Sequence, residues 1–156
     1  MVEGTTGGVR IREMAPADLP AARRLLGQLG YDIAPEELAR RVAAVAGSPG
    51  HAALVAERGR IVAGLAHVFE RPALDKPREA VLQALVVDAA SRQGGVGRAL
   101  MAAAEAWAAG RGLPSVVLSS NVARIEAHAF YEAIGYRRVA TSLLLRKALD
   151  RVNLPE

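Results

Sequence analysis

Cysteine is absent from the chain. That excludes disulfides, zinc sites built on thiolates and a cysteine nucleophile, and it leaves the compartment open. Aromatic residues make up 4% of the chain, too few for the stacking platform used on single-stranded nucleic acid. No apolar run approaches the roughly 18 residues of a membrane-spanning helix, so no membrane segment is expected. Met1 to Gly8 shows no basic stretch followed by an apolar one. No secretory signal is read there, and the cytoplasm is the expected compartment. No group of His, Asp and Glu has metal-ligand spacing, so no metal is expected. Lysine is scarce too, with only Lys76 and Lys147. The excess of 20 basic over 16 acidic residues, net +4, is therefore almost all arginine. Such a balance suits a small polyanion or a nucleic acid, and it also serves solubility.

What is present is an ordinary globular mixture: 156 residues, 51% hydrophobic and 23% charged, the size of one domain. Residues 1–8 read as a flexible leader and 9–156 as a single domain. Val9 to Arg12 alternates as a strand. Leu19, Ala22, Leu25, Leu26 and Leu29 recur at helical spacing. A second helix opens on Pro35, Glu36 and Glu37 and closes at Gly47. His51 to Glu57 and Arg60 to Glu70 read as two strands joined at Arg58-Gly59, and Glu79 to Val87 as a third. A long helix runs from the glycines at 94–97 to about Gly110. Ser115 to Ser119 is a short strand, Ile125 to Ile134 a helix, and Tyr136 to Ala148 carries the closing strands. The order β-α-α-β-β-β-α-β-α-β(-β) predicts an α/β (α+β) domain whose mixed, largely antiparallel sheet is flanked by helices.

The strongest local signal is Leu85-Val86-Val87 followed by Arg92-Gln93-Gly94-Gly95-Val96-Gly97-Arg98 and a helix. Glycines let the backbone turn tightly and expose its N–H groups, and a helix N-terminus favours phosphate. A dinucleotide fingerprint would need glycine where Leu100 stands. A P-loop would need Lys and Ser/Thr where Arg98 and Ala99 stand. Both fail.

The pattern of Arg92, Gly95 and Gly97 after an apolar strand resembles motif A of the GNAT superfamily of acyl-CoA N-acyltransferases. Ala127 to Tyr136, with Phe130-Tyr131 and Gly135-Tyr136, is similar to the family's second signature. The element order is also the family's, so the resemblance runs from about Val9 to Leu149. It implies acetyl-CoA as co-substrate, with direct attack by an amine and no covalent enzyme intermediate. Leu85, Val86 and Val87 would hydrogen-bond the thioester and pantetheine arm, Val87 N–H polarising the acyl carbonyl. Gln93, Gly94, Gly95, Val96, Gly97 and Arg98 would cradle the pyrophosphate, with charge from Arg92 and Arg98. Arg124 and Ala127 would lie along the cofactor. Tyr131 would protonate the departing thiolate, a phenol near pKa 10 serving a thiol near 8.5.

Two positions depart from the family's pattern. Arg124 stands where many relatives carry Asn, and it either meets the pantetheine as a charge or faces solvent. Gln83 stands where many carry the glutamate credited with deprotonating the amine, and glutamine is no base. That task then falls to another group, a water chain or solvent. His67 and Glu70 could line the acceptor site, and they also read as surface residues at a strand end. His128, on the same helix as Tyr131, reads as a residue that supports the site from behind or as surface, and Phe130 and Trp107 read as core. The expected partner is a small-molecule or peptide amine, with neither nucleic acid nor membrane. The resemblance also implies a homodimer, paired through the apolar stretch Val139 to Leu145. Two rival readings are a non-catalytic acyl-CoA sensor, which Gln83 permits, and a basic nucleic-acid-binding domain, which leaves the glycine loop without a role.

Overall fold

A computed structural model describes residues 3–149. It divides into two compact units, the first ending at Ser119 and the second beginning at Ser120. The first holds a six-stranded sheet in the sequential order β1-β2-β3-β4-β5-β6: β1 Gly4–Thr6, β2 Val9–Glu13, β3 His51–Arg58, β4 Ile61–Arg71, β5 Glu79–Val87 and β6 Val116–Leu118. All neighbours are antiparallel except β5 and β6, which run parallel. Helices α1 (Leu19–Gln28), α2 (Pro35–Ala46) and α3 (Val96–Gly110) complete it. The parallel pair needs a crossover, and α3 supplies it. This is the mixed, largely antiparallel architecture expected from the sequence.

Alternation along the strands divides the core. Val55 of β3, Leu65 of β4 and Val86 of β5 pack on one face with Ala22, Leu25 and Leu38 of α1 and α2. The other face carries α3, whose Leu100, Met101 and Ala104 are buried. Gly64 belongs to that second face. A Cβ there would stand 2.8 Å from Val96 and 2.9 Å from both Leu100 and the Val86 carbonyl. Glycine at position 64 thus sets how closely α3 lies on the sheet. The entry to α1 is pinned by Arg12, which donates to both oxygens of Asp18 at 2.7 Å and to Glu57 at 2.7 and 2.9 Å. Asp18 also accepts the Ala15 N–H.

Two expectations change. Gly4–Thr6 is a strand paired with Val9–Ile11 where a leader is expected. Gly7 and Gly8, at φ 57° and 79°, supply the two left-handed residues of a tight hairpin. Among its described residues the second unit holds one regular element, α4 (Ile125–Ala133), and residues 136–149 form no strand. A strand exists only as one side of a ladder, and this unit contains no partner strand among its described residues. Val139, Leu143, Leu144 and Leu145 are accordingly 83–87% exposed.

Candidate active site

Strand β5 is hydrogen-bonded to β4 along its length, yet it meets β6 only at Ala80–Leu82. Among the described residues no strand pairs with its second edge from Gln83 to Val87, and an edge of that kind suits an extended ligand that adds by main-chain hydrogen bonds. Gln83 is the extra residue of a bulge, since His67 pairs with Ala84 and Val68 with Leu82. At the end of β5 the chain is held from two sides. Asp88 N–H donates to the Ala63 carbonyl. The Asp88 carboxylate accepts from Ala90 N–H at 3.1 Å, Arg24 at 2.6 Å and Gln28 at 3.2 Å, while Gln28 Oε1 accepts the Ala89 N–H. The Ala90 N–H, then Arg24 and Gln28, hold the Asp88 carboxyl below its ordinary value.

Beyond Asp88 the loop turns into α3. Gln93 takes φ 67° and Gly95 takes φ 83° as the residue preceding the helix. Only glycine takes that conformation freely. No side chain caps α3, so its first-turn N–H groups have neither intrahelical nor side-chain partners. Arg92 and Arg98 are exposed, and neither has an ion-pair partner among the described residues. Arg58, from the end of β3, donates to the Gly94 carbonyl and fills the space where a Cβ on residue 94 would stand. An uncapped helix start beside two guanidinium groups that have no ion-pair partner among the described residues is an arrangement that suits an anion. Residues Leu85 to Arg98 are therefore continuous in space as well as in sequence. Arg24, Gln28, Arg58 and Asp88 are the supporting residues that sequence reasoning missed, and only Asp88, next to the motif, carried a local signal.

The second unit gathers Tyr131, Arg124 and Ala127 on and around α4. The Tyr131 ring meets Phe130 and Tyr136 edge-on, with centroids at 5.2 and 5.9 Å. Burial pushes its phenol above the ordinary value, and the charge of Arg124 opposes that shift. Tyr131 thus keeps its proton at neutral pH, as a proton donor must. Arg124 is exposed at the start of α4. His128 contacts the Asn121 carbonyl at 2.8 Å and secures the loop before the helix. Trp107 is half-buried, with the Arg111 guanidinium 5.1 Å from its ring centre.

The two acceptor-site candidates on β4 separate. Glu70 lies on the α3 face, bound to Arg111 at 2.8 Å and Arg78 at 2.6 Å. Arg111 foremost, and the charge of Arg78, keep it ionised well below the ordinary range. It is held as an anion between two arginines. His67 lies on the opposite face, half-buried, with its Nε2 3.0 Å from Nδ1 of His51. Among the described residues no group of three or more His, Cys, Asp or Glu could hold a metal ion.

The protein resembles several solved structures over nearly its whole length. An aminoglycoside acetyltransferase, AAC(6')-Iy, in complex with the bisubstrate analog CoA-S-monomethyl-acetylneamine, superposes with TM-score 0.81 at 20% identity, over 90% of this chain and 99% of that one. A transcriptional regulator from Bacillus halodurans C-125 gives TM-score 0.80 at 23% identity over 89% and 99%. Aminoglycoside antibiotic 6'-N-acetyltransferase AAC(6')-IG from Acinetobacter haemolyticus gives 0.78 at 17% over 90% and 99%. No match is found among curated protein sequences. The Acetyltransferase (GNAT) family matches residues 18–136, a span running from the start of α1 through the glycine loop to Tyr136. The chain belongs to the GNAT acetyltransferase family.

Proposed function

We propose that the protein transfers the acetyl group of acetyl-CoA to a primary amine by direct attack. The observation that carries this reading is the conjunction at the end of β5: a strand edge left unpaired among the described residues from Gln83 to Val87 runs straight into an uncapped helix start flanked by Arg92 and Arg98, exposed and without an ion-pair partner among the described residues. A pantetheine arm is an extended amide chain that ends in a pyrophosphate, and it needs those two features in that order. Acetyl-CoA brings an activated thioester to the site. The protein's own residues do the rest. The edge of Leu85 to Val87 aligns the arm and turns an N–H toward the acyl oxygen, while Gln93 to Arg98 hold the diphosphate. Tyr131, kept protonated by burial, supplies a proton to sulfur. Proximity and a polarised carbonyl together account for many powers of ten in rate.

Neighbours of the same fold carry names that specify aminoglycoside substrates, which supports a small polar amine as acceptor here. A second reading, an acyl-CoA sensor without turnover, is favoured by Gln83 at the position of the family's glutamate. We further propose a cytoplasmic enzyme that forms a homodimer through the apolar segment Val139–Leu145. Calorimetry with acetyl-CoA, CoA and duplex DNA, followed by CoA release on a panel of amines, separates the readings. Acetyl-CoA binding with amine-dependent CoA release supports the transferase. Binding without release supports the sensor, and binding of DNA alone contradicts both.

A further inference from the structure

Strand β3 places His51 opposite Phe69 of β4, and Ala53 opposite His67. The two histidines therefore sit diagonally on one face, the face that α1 and α2 cover further along at Val55, Leu65 and Val86. Their rings stack with centroids 5.3 Å apart, and Phe69 stacks on His51 at 5.0 Å. His67 Nε2 and His51 Nδ1 are 3.0 Å apart, so one nitrogen donates and the other accepts. On its other side His67 pairs with Ala84, next to the bulged Gln83 and one residue from Leu85. A half-buried imidazole thus stands beside the position where the chain lacks a carboxylate, one strand in from the edge of β5 where the thioester would lie.

We propose that His67 is the group that takes the proton from the acceptor ammonium, with His51 relaying it to solvent; this rests on the transferase reading above. His67 carries its own proton on Nε2, donated to His51 Nδ1, which leaves the Nδ1 lone pair free. His67 Nδ1 has no hydrogen-bond partner among the described residues. The ammonium gives one proton to Nδ1. The imidazolium passes its Nε2 proton to His51 Nδ1, and His51 releases its own Nε2 proton to water. The freed nitrogen lone pair forms the bond to the acetyl carbon, the carbon–sulfur bond breaks, and its electron pair stays on sulfur. The second proton lost by nitrogen as the amide forms balances the one that sulfur takes up.

The surroundings keep His67 neutral and available. Desolvation first, and the charge of His51 second, lower it from its ordinary value. Among the described residues, the charged groups on the elements around it are paired or exposed. Arg71 and Glu79, further along the same face, are paired at 2.8 Å, β5 offers uncharged Gln83 and Ala84, and Glu70 points to the α3 side. On α1 and α2, Arg23 is turned to Asp32, Arg24 to Asp88, and Arg40 and Arg41 to Glu37, while Glu36 is exposed.

The test uses the full chain with acetyl-CoA and three probe amines: ethylamine, spermidine and sisomicin. With an enzymatic base the substrate form is the ammonium, so kcat/KM for the amine is flat around neutrality and falls on acidification as His67 takes a proton, below the ordinary histidine value near 6.5. His67→Gln should lower kcat/KM at pH 7 by roughly 10²–10⁴-fold. It should erase the acid limb and leave a rate that climbs with the neutral amine fraction until it approaches wild type near the amine's own pKa. His51→Gln should move the acid limb to higher pH, because one of the two causes holding His67 down is gone. Long-range 1H–15N NMR of the full chain, with no amine present, should show His67 neutral at pH 7 with its proton on Nε2. A His67→Gln enzyme with the wild-type pH profile overturns the proposal, as does a His67 charged at pH 7 or protonated on Nδ1. No turnover of any of the three amines by wild type overturns the transferase reading and this proposal with it. Wild-type turnover with an unchanged His67→Gln profile removes this proposal alone.

Discussion

Arg98 stands exposed in the first turn of α3 with no carboxylate paired to it among the described residues, so its charge is available to a ligand and contributes little to the fold. Arg98→Gln should leave the melting temperature unchanged and weaken acetyl-CoA binding roughly 10-fold or more, since hydrogen bonds to charged groups are worth about 1.5–3 kcal/mol. Calorimetry at two salt concentrations checks this, and an unchanged affinity removes Arg98 from the diphosphate site. Tyr131→Phe should cut kcat by roughly 10²–10⁴-fold with little change in acetyl-CoA affinity, because the ring and its contacts with Phe130 and Tyr136 survive. Wild-type turnover in that variant ends the proton-donor role. Asp18 bears on stability instead. Hydrogen bonds from Arg12 foremost, and the Ala15 N–H, hold its carboxyl below the ordinary value. Its contribution is therefore complete above the ordinary carboxylate range and is lost as pH falls through the lowered value. Asp18→Asn should reduce stability at pH 7 by about 3 kcal/mol, the scale for breaking a buried ion pair, and flatten the decline in melting temperature below about pH 4. The motif residues from Leu85 to Arg98 and Tyr131 were legible because each lies within a short run whose chemistry is local. Arg24 with Asp88, Arg58 with Gly94, and His51 with His67 were not, because only strand register and helix docking bring such distant positions together.

Among elements, α3 and the end of β5 bear the proposed cofactor site, and Gly64 governs their approach. Gly64→Val should cost about 1–3 kcal/mol, the usual penalty of overpacking, because Val96, Leu100 and the Val86 carbonyl already occupy the space. A chemical denaturation curve measures it, and a midpoint equal to wild type would show that α3 can shift without penalty. Helices α1 to α4 and strands β2 to β6 follow from hydrophobic period and from Gly and Pro at their ends, signals that lie wholly within each segment. The hairpin of β1 was not legible, since Gly4–Thr6 offers no apolar alternation and its strand exists only through pairing with Val9–Ile11. Residues 136–149 fail in the opposite sense. Their β-favouring apolar pattern reads as strand, but a pattern cannot supply the second strand that a ladder requires.

Across the whole molecule, an arginine-borne net charge of +4 and an exposed apolar segment at Val139, Leu143, Leu144 and Leu145 set how the protein meets other molecules. The apolar segment is the reason to expect a homodimer. Light scattering at micromolar concentration should give twice the 16.4 kDa chain mass, and a monomer mass contradicts the dimer. The charge suits a polyanionic co-substrate, and the open edge of β5 leading to the start of α3 gives that charge a place to act. The central claim is that this conjunction serves acetyl transfer. The measurement that tests it most directly follows acetyl-CoA with a panel of primary amines, reading free CoA and the mass of the amine together. The account predicts CoA release that depends on the amine and appears with an equal amount of N-acetylated product. Tight acetyl-CoA binding with no acetylated amine from any member of the panel would contradict it.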